Sequence, residues 1–274
     1  MQLSDLLAMP AALPSIPKVV ALLMSELNRA EPDLRTVNQL VNTDPSLATR
    51  VLQLANSAHF QLAGRVGSVS EALAIMGLTH IKSLVSAAAL SGAFKAVPGI
   101  AMPQFWRYSL DVAKISRALA GNVRENQGTA FTAGLIHASG ELVMHLGMGD
   151  DIRTLDASVA PLDPRRARAE QRTFGFAWGA VGAGLCRSWS FPQQIVDALQ
   201  YQHAPFDNDA YEPLAGILHL ATWRARAREA QLTERELATS FPDVVGLTLG
   251  LDIDAVLQQD PIDWSSGSEA AMFA

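Results

Sequence analysis

The chain has 274 residues, of which 49% are apolar and 18% charged, against a charged share of about 25% in an average globular domain. That balance excludes a disordered segment, a collagen-like chain or a coiled-coil rod, and the length is enough for one large domain or two smaller ones. Twenty-one Lys and Arg against 27 Asp and Glu leave a net charge of −6, which argues against general polyanion binding but not against a local basic patch.

Helix signals recur along the chain. Ile16, Val20, Leu23 and Leu27 recur at helical spacing, with Pro17 in the first turn and Pro32 beyond the end. Asp44-Pro45 is an N-cap followed by a proline at the first helical position. It opens a helix with Leu47, Val51, Leu54, Ala55 and Ala58 on one face. Ser68 with Glu71 and Thr233 with Glu236 have capping-box spacing. Two prolines and a glycine in KAVPGIAMPQ, residues 95–104, mark the best internal boundary, with five or six short helices expected before it. Longer helices are expected near 104–120, 129–147, 164–174, 177–189, 192–203 and 213–230. Asp163-Pro164 should start the third of these and Gly175 should stop it. No sustained period-2 run of β-branched residues occurs, so the fold class expected is all-α.

A single cysteine, Cys186, excludes an intramolecular disulfide and a thiolate metal cluster. Cys186 reads as a small buried residue; Arg187 beside it could lower its pKa, but no His or Asn partner for a nucleophile can be identified. The opening MQLSDLLAMPAALPSIP has neither the basic start nor the apolar run of a signal peptide, and no apolar stretch approaches the roughly 18 residues of a membrane span. A cytoplasmic protein without membrane association is the expectation.

Three ordered segments carry a family likeness: LPSIPKVVALLMSEL, then DPSLATRVLQLANSAHF with its RVLQLANSA run at 50–58, then GSVSEALAIMGLTHIKSLV. With FWRYSLDVAKISRALA, FTAGLIHASGELV and SWSFPQQIVDALQYQH they resemble the HDOD (HD-related output domain) family over roughly residues 12–230. The resemblance implies a two-lobed, all-helical protein of bacterial signalling, related to HD-superfamily phosphohydrolases. Residues 1–97 would form the N-terminal lobe, 98–259 an HD-like lobe, and 260–274 a frayed tail.

HD phosphohydrolases use metal ions to lower the pKa of a bound water and to clamp phosphoryl oxygens, which takes several converging imidazole and carboxylate ligands. The resemblance puts their adjacent His-Asp pair at His137-Ala138 and an earlier ligand histidine at Tyr108. A further histidine falls at Trp178, the paired histidines at Gln202-His203, and a late aspartate at Thr222. Only His137 and His203 keep a donor of the expected kind. His145 and His219 lie near in sequence but form no HExxH-like pair. The expectation is a pseudoenzyme with no catalytic residue, metal or cofactor. Tyr108, His137, Ala138, Trp178, His203 and Thr222 would line a vestigial pocket, open to a nucleotide or filled simply by packing.

Arg165, Arg166, Arg168 and Arg172 crowd one short helix and would suit a phosphate-bearing ligand, or form a solvated face with Glu170 interspersed. Arg224, Arg226 and Arg228 form a second run with the same two readings. Gly179, Gly182 and Gly184 fit close helix packing better than a phosphate loop, having no strand before them. A regulatory module acting through a protein signalling partner or a ligand is therefore expected, in an oligomeric state the residues leave open, with nucleic acid not expected as a partner. A divergent metal-dependent phosphohydrolase and a nucleotide- or nucleic-acid-binding regulator are the alternatives.

Overall fold

Side-chain acceptors placed just ahead of apolar runs start several helices, satisfying N–H groups that have no partner in the first turn. The computed structural model describes residues 1–9, 12, 17–56, 66–161, 163–189, 191–206 and 211–258, and no strand occurs among them. The helices are α1 (Leu3–Leu7), α2 (Lys18–Leu27), α3 (Leu34–Asn42), α4 (Pro45–Ala55), α5 (Val69–Ala93), α6 (Met102–Asn122), α7 (Gln127–Ile136) and α8 (Ser139–Gly147). There follow α9 (Gly149–Asp156), α10 (Arg166–Phe174), α11 (Trp178–Ser188), α12 (Gln193–Tyr201), α13 (Pro213–Glu229), α14 (Glu234–Ser240), α15 (Asp243–Thr248) and α16 (Ile253–Gln258). The all-α expectation is met. Ile16, Ala58, the last two residues of RVLQLANSA and the tail 260–274 lie outside the described residues.

The caps behave largely as their spacing predicts. Asp44 Oδ1 accepts the Leu47 N–H at 3.2 Å, and Leu47, Val51, Leu54 and Ala55 of α4 are buried. Helix α2 buries Val20, Leu23 and Leu27, with Met24 beside them. Thr233 and Glu236 form the full reciprocal box. Ser68 accepts the Glu71 N–H at 3.2 Å, but the Glu71 carboxylate reaches back to the Gly67 N–H at 3.0 Å, one residue earlier than a capping box requires. Asp163 accepts the Arg165 N–H at 2.8 Å, so α10 begins only at Arg166; Gly175 ends it in the left-handed region.

Three expectations need correction. The helix expected over 129–147 is two, α7 and α8, separated at His137-Ala138 where Ala138 turns to φ −96°, ψ 11°. The segment before the 95–104 boundary is not made of short helices alone, since α5 spans 25 residues. That helix also passes the length and composition test for a membrane span, which the expectation of no such stretch overlooked, because its scattered Ser, Thr, His and Lys barely lower its average hydropathy. Of its apolar window 61% is buried inside the protein. Gly77, at φ 69° and ψ 167°, also breaks it. Residues 78–93 beyond the break span about 24 Å at about 1.5 Å per residue, short of a hydrocarbon core of about 30 Å.

Backbone contacts divide the chain into two units. The smaller holds the described residues of 15–95 and 189–191, thus α2–α5; the larger holds those of 1–14, 96–188 and 192–262. In the smaller, α5 packs on α2, α3 and α4, and Phe94 meets Trp189 at 6.4 Å between rings. In the larger, α6 lies against α7 and α13, and α11 against α8 and α12. Helix α1, although it opens the chain, belongs to this unit: Leu6 covers Gly147 and Leu7 covers Gly184. Glycine lets α8 and α11 meet backbone to backbone, since a Cβ on Gly140 would overlap the Trp178 carbonyl oxygen and lie 2.7 Å from Gly182 N. The glycines of α11 are packing positions.

Candidate functional site

His137 ends α7 because its own ring satisfies the helix terminus: Nδ1–H donates to Gly134 O at 2.7 Å. That bond sets the tautomer and leaves Nε2 as an acceptor, buried and without a hydrogen-bond partner. Three more rings gather around it. Tyr108 of α6 lies 5.4 Å away between centroids, and Trp178, the first residue of α11, lies 5.8 Å away, edge on. Trp178 in turn meets His203, just after α12, at 4.2 Å and 82°. Tyr108, His137 and Trp178 are buried; His203 is half-buried with its Nε2 fully inside. Gln202 Nε2 donates to His137 O at 3.2 Å and to Leu199 O at 3.0 Å, tying the end of α12 to the end of α7.

Burial holds the His137 and His203 imidazoles down to about 3, and the nearby Arg226 guanidinium pushes both the same way. Burial likewise pushes the Tyr108 phenol up to about 12. The cluster therefore holds neutral imidazoles and a neutral phenol at neutral pH. Arg226, expected as part of a run suited either to a phosphate or to solvent, is a half-buried member of this site; alternation along α13 sends Arg228 instead toward Asp111, at 3.6 Å.

Of the six positions expected to line the pocket, four rings come together. Ala138 adjoins them through the chain, buried and without a polar side chain. Thr222 turns its hydroxyl onto Leu218 O of its own helix at 2.5 Å. A divalent metal needs several nitrogen or oxygen donors converging on one point. Here two imidazoles stand without a carboxylate and beside a cationic guanidinium. Among the described residues, no three His, Cys, Asp or Glu side chains are grouped to hold a metal ion. The residues present do not fit an HD-type metal centre.

A second cluster, which sequence reasoning missed, lies in the same unit. Arg166 is wholly buried. Its Nε meets Glu170 Oε1 at 2.7 Å, one terminal nitrogen meets Asp156 Oδ1 at 2.7 Å, and the same nitrogen donates to Val159 O at 2.6 Å. Glu170 Oε2 accepts the Trp178 N–H at 2.8 Å, which links this network to the start of α11. His145 faces Asp156 Oδ2 through Nε2 at 3.0 Å and donates from Nδ1 to Glu141 O at 2.7 Å. Glu141 lies 2% exposed, its Oε1 3.4 Å from Arg166 Nε. Burial, then the charge of Glu170, raises its carboxyl well above the ordinary range. The available signals were an acid inside the apolar run GELVMHLG and the i, i+4 spacing of Arg166 and Glu170.

The arginine helix thus needs correcting. Arg166 cannot contact an outside anion, because three carboxyl groups sequester it, and Glu170 is buried rather than interspersed on a solvated face. Arg165, Arg168 and Arg172 are exposed, with Arg165 held by Asp163 at 2.7 Å. Cys186 is the small buried residue expected, and burial pushes its thiol far up.

The fold and this site define a class: an all-helical protein with two buried neutral imidazoles packed among aromatic rings. The chain belongs to the HDOD domain family, whose model matches residues 13–205. A crystal structure from Shewanella amazonensis, named as a proposed phosphohydrolase, is 29% identical and superposes with a TM-score of 0.81 over 98% of both chains. Another, from Marinobacter aquaeolei and named as a proposed signal-transduction protein, is 25% identical with a TM-score of 0.73, over 94% of this chain and 57% of that one. An uncharacterised Treponema pallidum protein is 21% identical over 234 residues, 84% of this chain and 45% of its own length. The chain thus spans less than half the length of the curated relatives it matches.

The neutral state of His137 has a measurable consequence. In the unfolded chain its imidazole takes a proton near pH 6.5, whereas the folded protein refuses that proton until about pH 3. Its contribution to stability is therefore complete above pH 6.5 and lost as the pH falls toward 3. Between pH 6 and 4, urea unfolding should show the gap between the wild type and His137→Phe narrowing by about 1.4 kcal/mol per pH unit. Glu141 and Glu170 act in the opposite direction but remain in both proteins, so they cancel. A gap independent of pH would show that the ring is not held neutral.

Proposed function

We propose that this chain is a non-catalytic regulatory module of a bacterial cytoplasmic signalling pathway, working through a protein partner or a small ligand. The observation that carries the reading is the ring cluster: Tyr108 and Trp178 bracket His137, the position that the family resemblance sets against a metal-ligand histidine, and Ala138 offers no donor atom. Aromatic volume and neutral imidazoles suit packing or base stacking, not activation of water. Regulation would follow from a population shift, a ligand or partner favouring one arrangement of the helices around His137. Membership of the HDOD family and the signal-transduction naming of a structural relative support the regulatory side; the phosphohydrolase naming of another supports the enzymatic alternative.

Metal analysis of protein purified without chelator, with a phosphodiesterase and phosphomonoesterase panel run in Mn, Fe, Ni and Zn, tests this. The expected outcome is substoichiometric metal and no turnover above that of His137→Ala. Stoichiometric metal with turnover lost in that variant would establish the divergent phosphohydrolase instead.

A second reading rests on Arg165, Arg168 and Arg172, which recur at i, i+3 and i+7 on the exposed side of α10 once Arg166 and Glu170 turn inward. Such a stripe suits a nucleotide or nucleic-acid phosphate. It predicts binding that weakens steeply with salt and disappears when all three arginines become Glu. Salt-independent binding, or none, sets it aside.

A further inference from the structure

Helix α1 is held on the larger unit by apolar contact alone. It has five residues, and isolated helices shorter than about 12 residues are marginal in water. The hydrogen bonds of residues 1–9 and 12 are local to that segment, its capping box included. Among the described residues, none joins it to α8 or α11. Leu6 and Ala12 are buried and Leu7 is half-buried, and the two leucines lie over two glycines. A Cβ on Gly147, the last residue of α8, would overlap Leu6 Cδ1 and lie 2.7 Å from the Ala12 Cβ. One on Gly184 of α11 would overlap Leu7 Cδ1 and lie 2.8 Å from its Cδ2. Gly147 and Gly184 thus floor a groove that exists because neither has a side chain, and the adjacent Leu6 and Leu7 fill it. Residues 1–12 precede the family match at 13–205, and the chain runs on from them into α2 of the smaller unit.

We propose that α1 is a displaceable strap, and that the groove over Gly147 and Gly184 docks a short amphipathic helix of a partner protein. That helix presents two adjacent leucines, one to α8 and one to α11, as the seated Leu6 and Leu7 do. Apolar contact is non-directional, so another leucine-bearing helix gains the same contacts, and one longer than α1 is also more stable as a helix. Exchange of α1 between two copies of this chain is the weaker occupant: it fills no groove that was empty, yet costs the freedom of two bodies. Tethered in the same chain, α1 competes at an effective concentration on the order of millimolar. The strap therefore sets a threshold that a partner has to exceed, and it does so whether or not the ring cluster has chemistry of its own.

Fluorescence anisotropy of a labelled peptide of residues 1–12, standing in for the partner helix, tests this on the full chain. The variant Leu6→Asp, Leu7→Asp detaches α1 and should bind the peptide saturably, at least about tenfold more tightly than the wild type, whose own strap competes. Adding Gly184→Leu puts a side chain into the space that Leu7 vacates and should weaken that binding by about tenfold or more. A peptide carrying Leu6→Asp and Leu7→Asp should not bind. No saturable binding to the folded open variant, equal affinity for the wild type, or binding unaffected by Gly184→Leu would each overturn the proposal. So would a wild-type dimer that Leu6→Asp, Leu7→Asp dissolves, which would give the groove to a second copy. Leu7 is only half-buried, so Leu7→Asp alone serves if the double variant does not fold. Hydrogen exchange of the wild type reads the opening with no substitution at all: α1 amides should exchange at least about tenfold faster than those of α11, and equal protection in both would contradict a strap.

Discussion

Replacing Arg166 with alanine should destabilise the protein by about 3–5 kcal/mol, the cost of leaving buried carboxylates without their counter-charge. Arg166 is 0% exposed and meets Glu170 and Asp156 at 2.7 Å each, so its loss leaves buried Glu170 with only the Trp178 N–H and half-buried Asp156 with only His145. Urea or guanidinium unfolding at pH 7 measures the effect. The double variant Arg166→Met, Glu170→Gln should recover part of it, because Met fills the volume and the Gln oxygen can still accept the Trp178 N–H. A loss under about 1 kcal/mol in the single variant would place Arg166 among ordinary surface ion pairs and contradict the buried network.

Gly140→Ala should cost about 3 kcal/mol, at the upper end for overpacking, because the added methyl meets backbone and not a flexible side chain. The clash is with the Trp178 carbonyl oxygen and Gly182 N of α11, so relief requires α8 and α11 to move apart. Gly182→Ala is the control: its Cβ would find Gly140 N and Ser139 Oγ at 3.3 Å, a contact that small shifts can relieve. Equilibrium unfolding should separate the two variants, and near-ultraviolet circular dichroism should show Trp178 disturbed mainly in Gly140→Ala. Equal, small losses would mean that the helix crossing is looser than its backbone distances require.

Much of the fold was legible because helix ends are local. Asp44, Thr233 and Gly175 act within four residues of themselves, so cap, proline and glycine signals located α4, α14 and the end of α10 correctly. The break between α7 and α8 was not legible, because it depends on which way the His137 ring turns. An imidazole folded back onto Gly134 O ends a helix; one turned outward would let it run on. The length of α5 was missed because Gly77 reads as a weak helix residue, whereas the helix resumes after it at φ 69°.

The candidate site divides in the same way. The positions Tyr108, His137, Ala138, Trp178 and His203 came from residue identity set against a family resemblance, and those identities already lacked the ligand chemistry of a metal centre. Arg166 and Glu170 were visible as an i, i+4 pair, but a helical pair reads the same on a solvated face as in a core. Burial alone makes the difference, and burial is a property of what α8 and α9 bring to the other side.

By itself, then, the sequence determined the helical class, most caps and the family, since each depends on residue type and short spacing. Tertiary structure alone decided that Arg226 joins the imidazoles, and that Arg166 faces Glu141, Asp156 and Glu170 and not solvent. Those outcomes depend on the packing of helices distant in sequence, because charge and solvation act through space rather than along the chain.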